Sequence, residues 1–320
     1  YSAPYLAHAT LEPMNCTAQV KDGKVTLWVP TQVPGMARDM AAQVAGVPKD
    51  AVTVHVTLLG GGFGRRLEVD FVAQAVRVAM ACAGRPVQLL YSREEDMAHD
   101  FYRPAQAALL RASIDASGAV SSLRIQSAGD AITPRWFARA FPLLAGPVDG
   151  PDKTTAEGLF DIPYGFVNQH MSHTATQSGV PVGFWRSVGH SHNAFFSECF
   201  IDELAYATQT DPLEFRRRAL AHAPRYVAVL NLAAEKAGWG TPLPAGRARG
   251  IAVHKSFNTY VAEVAEVSLE GGKPRVHRVV CAVDCGIVVN PDVVRAQMEG
   301  SVAFGLGAAL YGQIQIDKGR

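Results

Sequence analysis

The sequence predicts a mixed α/β chain, α+β in class, on three observations. Val52, Val54, Val56 and Leu58 alternate with Thr53, His55 and Thr57, the period of two of a half-buried strand. Phe71, Val72, Ala75, Val76, Ala79 and Met80 then recur at helical spacing. Farther on, a helical block gives way to strand patterns over 249–282. The chain has 320 residues, 48% of them hydrophobic, which suffices for a sizeable core in two domains or one large one.

In chain order, a strand from Val25 closes at Pro30, and Thr31-Gln32 follow it. After the strand at 52–58 comes Gly60-Gly61-Gly62-Phe63-Gly64, then the helix of Phe71 to Met80. Gly84 ends that helix and Pro86 opens the strand PVQLLY. Two more strands, 109–114 and 120–126, flank a turn at 115–118. Residues 142–165 are rich in Pro, Gly and Asp and predict a long surface loop. Phe195, Phe196, Cys199, Phe200, Leu204 and Ala205 form one apolar helix face. Asp211 as N-cap, Pro212 at the first position and Glu214 reaching back start the next helix. Asn290-Pro291 start a last helix through Gln297 to about Leu310. A boundary is predicted near 222–225.

Composition excludes several classes. With 30 Lys+Arg against 29 Asp+Glu, a net charge of +1 supplies no field for nucleic acid. The richest apolar stretch, 302–310, is too short and too Gly-studded to span a membrane. Five irregularly spaced cysteines form no disulfide framework. YSAPYLAHA at the start and IQIDKGR at the end read as cuts within a longer chain, which leaves periplasmic and cytoplasmic locations both open.

Several segments could carry chemistry. The run GGGFGRR lets a backbone take positive φ and aim successive N–H groups at an oxyanion, or else makes a tight turn. It matches neither the dinucleotide fingerprint nor the phosphate loop. Gln32 could hold a metal-bound oxygen or serve the fold. Gly183-Phe184-Trp185-Arg186-Ser187 offers an aromatic wall with a fixed cation, or a core anchor with a surface charge. His277, Cys281 and Cys285 stand four apart, but on a strand that is roughly 13 Å per step, too far for one zinc ion. His190 and His192 have no carboxylate pattern beside them, and His8 and Glu12 would pair only on a helix that Pro13 limits. Glu198, Asp202 and Glu203 read as a solvated helix face. Direct ligation of a metal by the protein is therefore not expected.

Together, YLAHATLEPMN, WVPTQ, GGGFGRR, PVQLLYSREEDM, GFWRSVGHSHNAF, ECFIDELA, DPLEFRRRAL and VDCGIVVNP…AQMEG resemble the molybdenum-cofactor-binding large subunit of the xanthine oxidase/aldehyde oxidase family, isoquinoline 1-oxidoreductase beta-subunit type. The resemblance runs along nearly the whole chain. It implies two molybdopterin-binding subdomains, both incomplete, the first over 1–222 and the start of the second over 223–320. It gives cofactor-binding roles to Gln32, Gly61, Gly62, Phe63, Gly64, Arg186, Gln297 and Gly300, and places Phe184, Trp185 and Val188 at the substrate pocket. The implied chemistry is hydroxylation, with oxygen from water, of an electron-poor carbon in an N-heteroaromatic compound or an aldehyde. The implied cofactor is molybdopterin, the cytosine dinucleotide form among its variants. Electrons would leave to 2Fe–2S clusters on a small partner subunit, and onward to a cytochrome or other acceptor.

Three departures qualify the resemblance. The family's base, a Glu in a Gly-Glu segment, is expected beyond Arg320, so no catalytic residue is assigned within the chain and it is expected to be inactive alone. The Gly-Gln-Gly stretch that holds the pterin is expected before position 1. The purine-oxidising branch has a Glu and a Phe where Leu67 and Val188 stand here, which disfavours a purine, whose polar edge would go unpaired at about 1–3 kcal/mol per group. The rival is a non-catalytic fragment that docks an iron–sulfur subunit.

Overall fold

The computed structural model describes residues 1–147 and 152–319. A two-residue strand, β1 (Ser2–Ala3), precedes the hairpin of β2 (Asn15–Lys21) and β3 (Lys24–Val29). Asp22 and Gly23, both at positive φ, make the hairpin turn that matches strand twist. Then follow α1 (Pro34–Ala45), β4 (Val52–Val56), α2 (Asp70–Met80) and β5 (Val87–Leu90). These strands form a sheet of order β4-β3-β2-β5 in which β3 and β4 are parallel and the other pairs antiparallel. Leu27 and Val29 of the sheet pack with Ala41 of α1 and Val72 and Val76 of α2 in a first core. The parallel pairing Val29↔Val56 brings the C-terminal ends of β3 and β4 side by side. Gln32 and the glycine loop therefore leave the sheet at the same edge, a recurrent place for ligands in α/β sheets.

The chain continues with α3 (Arg93–Ala98), whose N-cap Ser92 accepts the Glu95 N–H, then β6 (Gln106–Ile114) and β7 (Val120–Asp130). α4 (Thr133–Ala140) and α5 (Lys153–Ala156) lie in the connection to β8 (Asn168–Thr176), which pairs with β7 in parallel. The second sheet has the order β1-β6-β7-β8. α6 (His190–Ala207), α7 (Pro212–Ala219) and α8 (Pro224–Ala237) follow, then the antiparallel strands β9 (Arg247–Ser256), β10 (Thr259–Glu270) and β11 (Lys273–Asp284), and finally α9 (Pro291–Leu310). Phe200 and Leu204 of α6 share a second core with Leu110 of β6, Leu230 of α8 and Ile251 of β9. That core is continuous from residues before position 222 to residues after it. No helix among the described residues is long and apolar enough to cross a membrane.

Several local expectations need correction. The strand at 52–58 ends at Val56, and Val56 and Leu58 are exposed because β4 is an edge strand whose chain turns away into the glycine loop. The helix from Phe71 ends at Met80, before Gly84, and Met80 is itself exposed. Residues 142–165 contain a helical turn at Pro142–Leu144 and α5, while 148–151 lie outside the described residues. Phe195 is exposed, and the buried face of α6 is instead Phe196, Phe200, Ile201, Leu204 and Ala205. Asp211 caps α7 by accepting the Leu213 and Glu214 N–H groups, but the Glu214 carboxylate pairs with Arg217 rather than reaching back. Asn290 caps α9, accepting the Asp292 and Val293 N–H groups.

Candidate functional site

The two edge loops meet four later segments around a cavity of about 630 Å³. Its wall carries Gln32, Gly62, Phe63, Gly64, Phe184, Trp185, Arg186, Val188 and Gln297. The Gly64 N–H donates to Gln32 Oε1 at 3.1 Å, which fixes the amide and leaves the Gln32 NH2 as its donor end. The neighbouring Phe63 N–H has no protein acceptor among the described residues. Across the cavity, Arg186 Nη2 donates to both the carbonyl and the side-chain oxygen of Gln297, each at 3.2 Å, and so ties α9 to the 184–188 segment. Among the described residues Arg186 is hydrogen-bonded to Gln297 and to no carboxylate, and burial alone pushes its pKa below the ordinary arginine value. The donor set is a guanidinium, a side-chain amide and a free loop N–H, which fits an oxygen-rich anionic group.

The loop conformation is enforced from behind. Arg66, fully buried, donates to the Gly61, Pro30 and Glu12 carbonyls and to Glu12 Oε2. Its own carbonyl accepts the Gln32 N–H at 3.1 Å. Glu12 Oε2 also accepts the Gly60 N–H at 2.8 Å. At Gly64 (φ +111°) a Cβ would stand 1.6 Å from the Phe184 carbonyl oxygen. That oxygen accepts a hydrogen bond from His8 Nε2 at 2.7 Å, and His8 Nδ1 is held by buried Asp100 at 2.9 Å. Asp100 in turn pairs with buried Arg65 at 3.2 Å. Phe63, Ser187 and Val188 all have positive φ although none is glycine. Such strain of about 1–3 kcal/mol per residue persists where the surroundings over-determine it, commonly at functional sites.

The other expected residues fall as follows. Gly61 lies behind the loop, where a Cβ would stand 2.9 Å from the Phe63 ring. Gly300 sits one helical turn beyond Gln297, and a Cβ there would have nothing within 4 Å. Trp185 is largely buried, donates from Nε1 to the Ala7 carbonyl and stacks on Phe304. Phe184 meets Trp136 edge-on at 5.4 Å. Leu67 also lines the cavity.

Two readings outside the cavity change. His8 and Glu12 do not pair with each other: each locks a different part of the loop's support. Glu198 is not on a solvated face, since it is buried, salt-bridged to Arg216 at 2.9 Å and an acceptor for Tyr164 Oη. His277 meets Ser268 and His192 meets Gln106, while His190 Nδ1 lies 2.9 Å from His254 Nε2. Among the described residues no group of three or more His, Cys, Asp or Glu could hold a metal ion.

Sequence reasoning missed Glu157, which sits in an aperiodic stretch with no motif to flag it. It lines the site cavity and also a larger one of about 1030 Å³, in which Phe257 is the other shared wall residue. Burial, and then the neighbouring Asp161, push the Glu157 pKa up to about 7. Burial, and then His190, push the His254 pKa down to about 4. The two groups act on stability in opposite directions. His254 contributes stability that is present above about pH 6.5 and lost as pH falls toward 4. Glu157 contributes stability that is present below about pH 4.5 and lost as pH rises through 7. Between pH 4.5 and 6.5, His254→Gln should lose stability relative to wild type as pH rises, and Glu157→Gln should gain it. Urea unfolding at the two pH values checks this; equal differences from wild type at both would refute it.

The chain is similar to known proteins along its whole length. The molybdopterin cofactor-binding domain model matches residues 1–220, and a second model of the same description matches 201–320. The chain is 33% identical to the isoquinoline 1-oxidoreductase subunit beta of Brevundimonas diminuta, over 97% of this chain and 40% of that protein. It is 30% identical to the membrane-bound aldehyde dehydrogenase (pyrroloquinoline-quinone) of Gluconacetobacter polyoxogenes, over 100% of this chain and 44% of that protein. Its fold is similar to the crystal structure of quinoline 2-oxidoreductase from Pseudomonas putida 86, with a TM-score of 0.63, 20% identity, and coverage of 83% of this chain and 35% of that one. The chain thus spans less than half the length of these relatives. Fold and site define a cofactor-binding chain assembled around a cleft. It belongs to the molybdopterin cofactor-binding domain family, within the molybdenum-binding subunits of the xanthine oxidase family.

Proposed function

We propose that the full-length protein is a molybdenum hydroxylase that inserts water-derived oxygen at an electron-poor carbon of an N-heteroaromatic compound or an aldehyde. The observation that carries the reading is the convergence of Gln32, Gly62 to Gly64, Arg186 and Gln297 on one cavity, although they are up to 265 positions apart in the sequence. Bound there, the molybdenum cofactor supplies two-electron oxidation with oxygen drawn from water. The chain's part is binding and orientation. Gln32, Gly61, Gly62, Phe63, Gly64, Arg186, Gln297 and Gly300 would hold the cofactor, Gln32 through its NH2 and Phe63 through its N–H. Leu67, Phe184, Trp185 and Val188 would face the substrate with a mostly apolar wall, which suits an aromatic ring or an aldehyde better than a purine. The division into subdomains at 1–222 and 223–320 belongs to the same reading. So do a 2Fe–2S partner subunit, a cytochrome or other acceptor beyond it, the cytosine dinucleotide form among the cofactor variants, and a base Glu outside these 320 residues, without which this stretch alone should not turn over.

Plasma mass spectrometry of the native full-length protein tests the reading. Near-stoichiometric molybdenum is expected. A well-folded preparation without molybdenum would overturn it and leave the docking of an iron–sulfur subunit as the alternative.

A further inference from the structure

The Glu157 side chain stands at the junction of the two cavities with an unusual hydrogen-bond account. Oε1 is buried and has no partner among the described residues. Oε2 lies 3.7 Å from His190 Nε2, beyond hydrogen-bond length. The Gly189 N–H and the Lys153 charge favour a carboxylate here, but burial and the neighbouring Asp161 and Asp152 outweigh them, so the charged form is costly. The neutral acid resolves the conflict: its carbonyl oxygen occupies the dry Oε1 position and its hydroxyl is the Oε2 end. Burial raises the group's pKa to about 7, so the acid form is well populated at and below neutral pH. His190 does not compete for that proton at this distance, and it is already engaged through Nδ1 with His254. The surrounding wall is otherwise suited to a flat ring: Phe257 is shared by both cavities, Phe160 and Met171 line the larger, and Val188 and Phe184 line the smaller.

We propose that Glu157 is a specificity-determining residue that donates its carboxyl proton in a hydrogen bond to the ring nitrogen of an N-heteroaromatic substrate, selecting it over a carbocycle of the same shape. This rests on the hydroxylase reading for the identity of the cavity, and it narrows the substrate class of that site to rings with an unprotonated, pyridine-type nitrogen. A single donor of this kind, left unpaired by the wrong ligand, is worth roughly tenfold in affinity.

The test is binding, independent of turnover, in the full-length protein at pH 6. Isoquinoline and naphthalene, which have the same shape and differ at one ring position, are titrated while quenching of tryptophan fluorescence is followed. Wild type is expected to bind isoquinoline roughly tenfold more tightly. Glu157→Gln, which keeps a donor, should retain the preference, and Glu157→Leu should abolish it. Glu157→Ala serves as the second variant should leucine overpack the wall, with the same loss expected. A preference that survives removal of the carboxyl, or a wild type that binds both rings equally, overturns the proposal. Molybdenum content of the same preparations separates the two ideas. Metal present with no Glu157-dependent preference overturns this inference alone, whereas metal absent with such a preference overturns the hydroxylase reading and leaves the recognition standing.

Discussion

Gly64→Ala should cost the protein several kcal/mol of stability and most of its molybdenum. Two effects add at this position. The backbone holds φ +111°, a conformation that L residues rarely adopt, at a cost of about 1–3 kcal/mol. The new methyl would stand 1.6 Å from the Phe184 carbonyl oxygen, a backbone atom rather than the end of a flexible side chain. That carbonyl cannot retreat cheaply, because His8 grips it and Asp100 grips His8. Overpacking of this kind costs about 1–3 kcal/mol more. Relief has to come from moving the glycine loop, which breaks the Gly64 N–H bond to Gln32. Gly23→Ala is the control, since Gly23 also has positive φ (+70°) but a Cβ there meets nothing within 4 Å. Gly62→Ala is informative in another way: its Cβ would stand 2.6 Å from Gln32 Oε1, a side-chain end that can swing aside. Metal should fall there with little change in melting temperature. Thermal unfolding and molybdenum content of the three variants check the set. A Gly64→Ala protein that matches Gly23→Ala in both would show that the loop is only a turn.

What the sequence revealed about this site was local. The glycine run, Gln32 and Arg186 each stand in a short segment whose composition is unusual by itself, so they could be singled out without knowing their neighbours. Their meeting could be expected only through the family resemblance, and physically it follows from the parallel pairing of β3 with β4, which no periodicity announces. Pairings over long separations stayed hidden. Glu198 lies on a helix whose pattern reads as solvated, and its contacts with Tyr164, Arg216 and the Val253 N–H, 34, 18 and 55 positions away, explain its burial. His8 and Asp100 are 92 residues apart and nothing in either segment points to the other. α4 was missed because Pro134 and the short run TPRWFARA gave too few turns for a helical period to emerge. Glu157 was missed for the opposite reason to the glycines: it is a common residue in an unremarkable loop, and its role comes wholly from what surrounds it.

Arg66→Met should cost about 3–5 kcal/mol, comparable to breaking a buried ion pair from one side. Methionine approximates the aliphatic stem, so the cavity term is small and the loss falls on the unpaired acceptors. Three backbone carbonyls, those of Gly61, Pro30 and Glu12, lose their donor along with the Glu12 carboxylate. Those groups belong to three different segments: the stretch before β2, the end of β3 and the glycine loop. Arg66 is therefore the joint that sets Gln32 against Gly64, and its loss should release molybdenum as well as stability. Arg66→Lys should recover only part of either, because an ammonium cannot reproduce the planar fork that serves all four acceptors. The double variant Arg66→Met/Glu12→Gln removes the stranded charge and should regain stability over Arg66→Met alone, yet it leaves the carbonyls unpaired and should regain no metal. Arg216→Met is the comparison that separates the two readouts. Arg216 is also fully buried and paired with Glu198 and Asp202, but within the second core. It should lose as much stability as Arg66→Met while the folded fraction keeps its metal. Equal molybdenum per folded molecule in the Arg66→Met and Arg216→Met proteins would mean that Arg66 stabilises the fold without shaping the site.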